Sequence, residues 1–148
     1  MAATYVKIQD FVEKLGLAYH NLNTATLKIA LNRSDADGGA GAAVAVTDTK
    51  LGDIVKPTGT GYADVDTANT WAEAGGTGTL TGTQCVFTAG GADWQSFINA
   101  VLYNDDDATS PDGLICYWAY TGNLTLGNGE TFTVKFNSAS PGTIFTIA

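Results

Sequence analysis

Apolar residues recurring at every second position do most to fix what this chain can become. Leu27, Ile29 and Leu31 alternate with Thr26, Lys28, Ala30 and Asn32, and Phe132, Val134 and Phe136 alternate with Thr131, Thr133, Lys135 and Asn137. Successive side chains of an extended strand point to opposite faces, so this period lays one face of each strand on a core. Further strands are predicted at Leu80 to Thr88, Phe97 to Tyr103, Leu114 to Thr121 and Thr143 to Ile147, each bounded by Gly, Asn, Asp or Pro. Asn128-Gly129, between Leu126 and Phe132, is a tight-hairpin signal. The 18 glycines and threonine runs such as Thr77, Thr79, Thr81 and Thr83 are turn and sheet composition.

Only the start of the chain carries another period. Ile8, Phe11, Val12 and Leu15 form the i, i+3, i+4, i+7 stripe of an amphipathic helix over about residues 5–20, which Thr4 can cap. Gly16 reads as a left-handed stop with Leu17 folding back on Val12, or the helix runs on towards Asn21. At least six strands in series with one N-terminal amphipathic helix predict an all-β fold, a β-sandwich or barrel-like domain.

A length of 148 residues fits one domain, 1–148, with the β-domain over about 24–148. A chain of this size buries roughly 68–70% of its unfolded surface and needs no metal or disulfide to fold. Two stretches lack a period and are expected as irregular loops, at about 33–43 and 56–78. In the second, Tyr62 and Trp71 are the only large residues, and Trp71 implies packing onto the body of the domain.

Charge narrows the partners. Only 15% of residues are Asp, Glu, Lys or Arg, against about 25% in an average soluble domain. The net charge of −8 and the seven unclustered Lys and Arg argue against nucleic acid, whose affinity comes from cations displacing counterions. The longest apolar run, Leu114 to Tyr120, falls far short of a membrane span. Met1 to Lys14 lacks the basic start, apolar stretch and cleavage site of a secretion signal, so synthesis in the cytoplasm is expected. Leu114 to Tyr120 is apolar on both alternating faces, as a central or a subunit-facing strand would be.

No catalytic, cofactor or metal residues emerge. His20 is the single histidine and follows the helix pattern, where the helix dipole accounts for it. Cys85 and Cys116 are expected as buried free thiols in strands. Asp105, Asp106, Asp107 and Asp112 do not have the spacing of a calcium loop and read as a solvated connection. Glu73 and Glu130 are not paired by any pattern, and Gly38-Gly39-Ala40-Gly41 does not link a strand to a helix as a phosphate loop must.

Several segments together resemble small bacteriophage virion proteins of the capsid decoration or cement type. They are Phe11-Val12-Glu13-Lys14-Leu15, His20-Asn21-Leu22, Leu27 to Leu31, Val101-Leu102-Tyr103-Asn104-Asp105, Pro111 to Trp118, Leu124-Thr125-Leu126, Gly129 to Val134 and Gly142 to Ile147. The resemblance spans nearly the whole chain and is weakest over Arg33 to Gly78. It implies a non-enzymatic structural protein on the capsid surface, a homo-oligomer such as a trimer, whose partners are its own copies and the major capsid protein. The alternative expectation is a tail or head-fibre component that binds a host glycan through exposed Trp71 or Trp94.

Overall fold

A computed structural model describes residues 3–33, 41–106, 112–137 and 140–148. Among them are ten strands and one α-helix: β1 (Thr4–Lys7), α1 (Phe11–Gly16), β2 (Leu27–Arg33), β3 (Val65–Asp66), β4 (Thr70–Ala74), β5 (Thr77–Gly82), β6 (Cys85–Thr88), β7 (Phe97–Asn104), β8 (Gly113–Leu124), β9 (Thr131–Val134) and β10 (Gly142–Ile147). They form three antiparallel sheets, ordered β1-β8-β7-β2-β3, β10-β5-β4 and β6-β9. The all-β expectation holds, and none of the described sheets closes into a barrel.

The five-stranded sheet carries the core. β2 pairs with β7 from Leu27↔Asn104 to Arg33↔Phe97, and β7 pairs with β8. Leu27, Ile29, Leu31, Val101, Leu102, Leu114 and Ile115 are fully buried. Burying one such side chain stabilises the fold by about 1.5–3 kcal/mol. Alternation predicted a single buried face for β2, yet Ala30 and Asn32 are buried as well. The segment from Gly41 to Val55 covers that second face: Val44 is buried, and Val46, Leu51 and Ile54 pack against the core.

Two asparagines hold this cover in place. Asn32 Nδ2 donates to the Ala42 carbonyl at 2.6 Å and to Asn99 Oδ1 at 3.1 Å, and the Val44 N–H donates to Asn99 Oδ1 at 3.1 Å. The Val55 N–H donates to Asn32 Oδ1 at 3.2 Å. Polar groups taken out of water must find partners, and here a strand and a loop supply each other's. Of the first predicted loop, residues 34–40 lie outside the described residues.

The predicted helix is much shorter than expected. Thr4, expected as its cap, starts β1, whose residues pair with β8 from Thr4↔Ala119 to Lys7↔Cys116. The β-branched and aromatic residues of Thr4-Tyr5-Val6 suit that pairing, which wins over helix propensity. Of the stripe, Ile8 and Phe11 are buried, but Val12 is 54% exposed. The left-handed residue after the helix is Ala18 (φ 61°), not Gly16, and Leu17 is 59% exposed, so neither the glycine stop nor the fold-back of Leu17 is present.

The predicted strand Leu80 to Thr88 is two strands in different sheets, β5 and β6. Gly78, Leu80 and Gly82 point inward in β5, whereas Cys85 and Phe87 do so in β6. The switch from even to odd positions marks the break, and at the break the Thr83 N–H donates to the Thr67 carbonyl at 2.7 Å. The predicted loop 56–78 contains β3, β4 and the start of β5. β4 and β5 form a hairpin through Gly75 (φ 60°) and Gly76 (φ 85°). Two positive φ values are what a type I′ turn needs, and Gly-Gly supplies them without strain. Asn128-Gly129 is a turn, closed by the Glu130 N–H on the Gly127 carbonyl at 2.9 Å, but β9 beyond it pairs with β6 and no hairpin forms. β9 ends at Val134, and Phe136 is buried outside the strand.

Candidate functional site

Among the described residues, the histidine, both cysteines and several carboxylates hold structure. His20 is 2% exposed, its ring centroid 5.5 Å from that of Phe11 and its Nδ1 3.4 Å from Asn104 Nδ2. Core packing, rather than the helix dipole, accounts for it. Cys85 and Cys116 are free and buried, as expected. Burial, then the charge of Asp66, pushes the Cys85 thiol up to about 12, and burial holds Cys116 high against an opposing hydrogen bond from Tyr5. A thiol reacts as its thiolate, and burial disfavours that form at both positions.

The carboxylates tie chain to chain. Asp105 pairs with Lys28 at 2.5 Å, and Asp106 accepts the Thr26 N–H at 2.5 Å, which lowers its pKa. Together they fasten the start of β2 to the end of β7. Asp107 lies outside the described residues, and Asp112 sits in a left-handed turn (φ 62°). Glu73 accepts the Gly76 N–H at 2.7 Å and Glu130 the Gly127 N–H at 2.8 Å, each closing a turn. Among the described residues no group of three His, Cys, Asp or Glu is placed to hold a metal. Of the run Gly38-Gly39-Ala40-Gly41 only Gly41 is described.

Two surface features stand out among the described residues. The first is an apolar face where the end of α1, the turn after it, β4 and β10 converge. Leu15, Ala18, Leu22, Trp71 and Ile147, with His20, Asn21 and Asn23, line a hollow of about 540 Å³. Trp71 can lie flat there because β5 has Gly78 beneath it: a Cβ at Gly78 would sit 2.1 Å from the Trp71 ring. Ile147, 38% exposed, lines the hollow, and Leu17 and Tyr19, exposed at 59% and 39%, are chain neighbours of the lining residues Ala18 and His20. These are three of the six large apolar side chains that the described surface exposes. Concentrated apolar exposure of this kind marks an interaction surface.

The second feature is a groove of about 610 Å³ between the end of β8 and β9, lined by Trp118, Tyr120, Leu124, Phe132 and Val134, with Ala3, Thr133 and Lys135. A register break opens it. Phe97 pairs with Leu124 but Asn99 pairs with Ala119, so β8 bulges away from β7 over Tyr120–Asn123, with Gly122 at φ 96°. A bulge re-aims side chains, and here it turns Tyr120 onto Phe132, ring centroids 5.5 Å apart. Burial pushes the Tyr120 phenol up to about 12.

The tryptophans expected to meet a sugar fall on different sides of the surface. Trp94 is 3% exposed, its Nε1 donates to the Thr60 carbonyl at 3.0 Å, and its ring packs on Gly59 and edge-on to Tyr62. It is a core residue and cannot stack on a ligand. Trp71 is partly exposed in the hollow, and Trp118, on the strand expected to be central or subunit-facing, lines the groove. Neither feature was visible in sequence, because each assembles residues from segments far apart in the chain.

Comparison with models of known protein families, with characterised proteins and with solved structures finds no match to this chain. No helix among the described residues is long and apolar enough to cross a membrane.

Proposed function

We propose that this chain is a bacteriophage virion structural protein, a sandwich-like β-domain that decorates or cements the capsid by binding rather than by catalysis. The observation that carries the reading is the apolar hollow at Trp71, lined also by Leu15, Leu22 and Ile147, on a chain of net charge −8. Apolar surface of this kind favours protein contact, while the charge elsewhere keeps unassembled copies apart. The sequence resemblance names the setting. Several such contacts on one oligomer raise the effective concentration of each remaining contact, so modest interfaces hold a lattice.

Particles lacking the protein should assemble but burst more readily under heat or osmotic shock. Adding purified protein back should restore resistance saturably, as binding to the intact lattice stabilises it by RT ln(1 + [L]/Kd). Unchanged particle stability together with lost adsorption to cells would overturn this in favour of a fibre component. The groove gives that second reading its own support: Trp118, Tyr120 and Phe132 offer aromatic faces beside Lys135, in a volume typical of ligand sites.

A further inference from the structure

Successive side chains of a strand face opposite ways, so a cavity on one face of a sheet touches every second residue. The groove beside β9 does not follow that rule. Phe132 and Val134 pair with Phe87 and Cys85 on the buried face, Thr133 pairs with the exposed Val86 on the other, and all three line the groove. A groove that meets both faces of a strand runs along its edge, here the edge that β6 does not occupy. Its opposite wall carries a second unpaired stretch. β1 reaches β8 at Thr4, opposite Ala119, and beyond Ala119 the register gives residues 120–123 no partner in β1 or β7. Ala3 already lines the groove, which therefore continues the line of β1.

A free strand edge takes another strand, because extended backbone offers N–H and C=O groups at the spacing of the edge. Lys135 stands at the end of this one. Among the described residues it makes no ion pair, whereas Lys14, Lys28 and Lys56 each hold a carboxylate. It is also the one charged side chain lining the groove, on a chain of net charge −8, so the groove is locally suited to an anionic occupant.

We propose that the groove accepts an extended, acidic segment of another protein, which adds to the free edge of β9 as a strand, sets alternate apolar side chains against Trp118 and Phe132, and brings a carboxylate to Lys135. The proposal is independent of the capsid role. It competes with the glycan reading of the same groove, since a sugar would use the rings and leave the strand edge to water.

The probe is the hexapeptide Val-Thr-Val-Thr-Val-Glu, capped at both ends and titrated into the isotope-labelled full chain. Amide resonances of Thr131–Val134 and of residues 120–123 should shift saturably, and their hydrogen exchange should slow. The same peptide N-methylated throughout, which keeps the side chains but loses every donor, should not bind. Lys135→Glu should weaken binding about tenfold or more with an unchanged melting temperature, since Lys135 is exposed, and a peptide ending in Lys should restore it. Absence of peptide binding, or equal binding by the N-methylated peptide, would overturn the proposal. Saturable shifts of the Trp118 and Tyr120 rings produced by cellohexaose and not by the peptide would overturn it in favour of a glycan. Self-association of the wild type that Lys135→Glu abolishes would assign the edge to a second copy and overturn it as well. None of these outcomes bears on the capsid reading, which particle stability decides.

Discussion

The two halves of β8 meet different fates. Gly113 to Tyr117 is buried throughout, whereas from Trp118 onward every residue to Leu124 is at least partly exposed. The first half has β7 on one side; on the other it has β1 at Cys116 and Tyr117, Ile8 at Ile115, and Lys50 of the covering segment bridging to Gly113. Beyond Ala119 the second half loses both neighbours as far as Asn123: β1 begins at Thr4, opposite Ala119, and the bulge separates Tyr120–Asn123 from β7. Apolar content decides that a segment seeks contact. The neighbouring strands decide whether it finds that contact within the chain or presents it to something else.

Breaking this contrast is straightforward. Leu114→Ala, in the enclosed half, should cost about 2–5 kcal/mol in a urea titration, and Leu124→Ala at the open end roughly 1 kcal/mol. Equal losses would mean that the halves are equally packed. Asn99→Leu removes the acceptor that the Val44 N–H and Asn32 Nδ2 share, and two buried donors without it should cost about 1–3 kcal/mol. Hydrogen exchange should show the 41–55 cover opening ahead of the sheet in that variant. Unchanged protection at Val44 would show that packing alone holds the cover.

Phe132→Ala sharpens the contrast from the groove side. Its ring meets Phe87, Phe97 and Tyr120 but is only partly buried, so a loss of about 1–2 kcal/mol is expected, below the 3–5 of an enclosed aromatic. A full 3–5 kcal/mol would place the groove wall in the core. The smallest effect is a pH dependence at the cover. Asp53 accepts N–H groups from Thr49 (2.9 Å) and Lys50 (3.1 Å), and the Thr49 bond leads in lowering its pKa. A carboxylate with a lower pKa folded than unfolded contributes stability above its unfolded value of about 4, and loses it as pH falls through the folded value. Asp53→Asn should flatten that part of the acid limb of a melting-temperature profile, and an unchanged profile would remove Asp53 from the account.

Much of the fold was legible because strand period is a local property. Leu27/Ile29/Leu31 and Val101 through Tyr103 formed strands where alternation and β-branching put them, and the two cysteines were buried as free thiols. What failed depended on distant partners. The Ile8/Phe11/Val12/Leu15 stripe fits a helix by itself, but Thr4–Lys7 finds β8 more than a hundred residues away and becomes a strand. Gly75-Gly76 was a readable hairpin signal, missed among the glycines and threonines around it. The switch in inward-facing parity between Leu80 and Cys85 was there to be counted as well. The site was less visible still. Trp94 and Trp71 look alike in sequence, and each ring lies over a glycine, Gly59 or Gly78; only the depth of each in the fold distinguishes a core residue from a surface one.

The Gly75-Gly76 tip also makes the molecule a usable carrier. A Cβ at either glycine would meet no atom within 4 Å, and the tip lies four residues along β4 from Trp71, roughly 13 Å at about 3.3 Å per residue. A foreign peptide spliced between the two glycines would leave from an exposed hairpin end, away from the hollow. Closing a longer excursion there adds only about 0.6 kcal/mol for each doubling of its length. Every copy would then carry its cargo at the end of the β4–β5 hairpin.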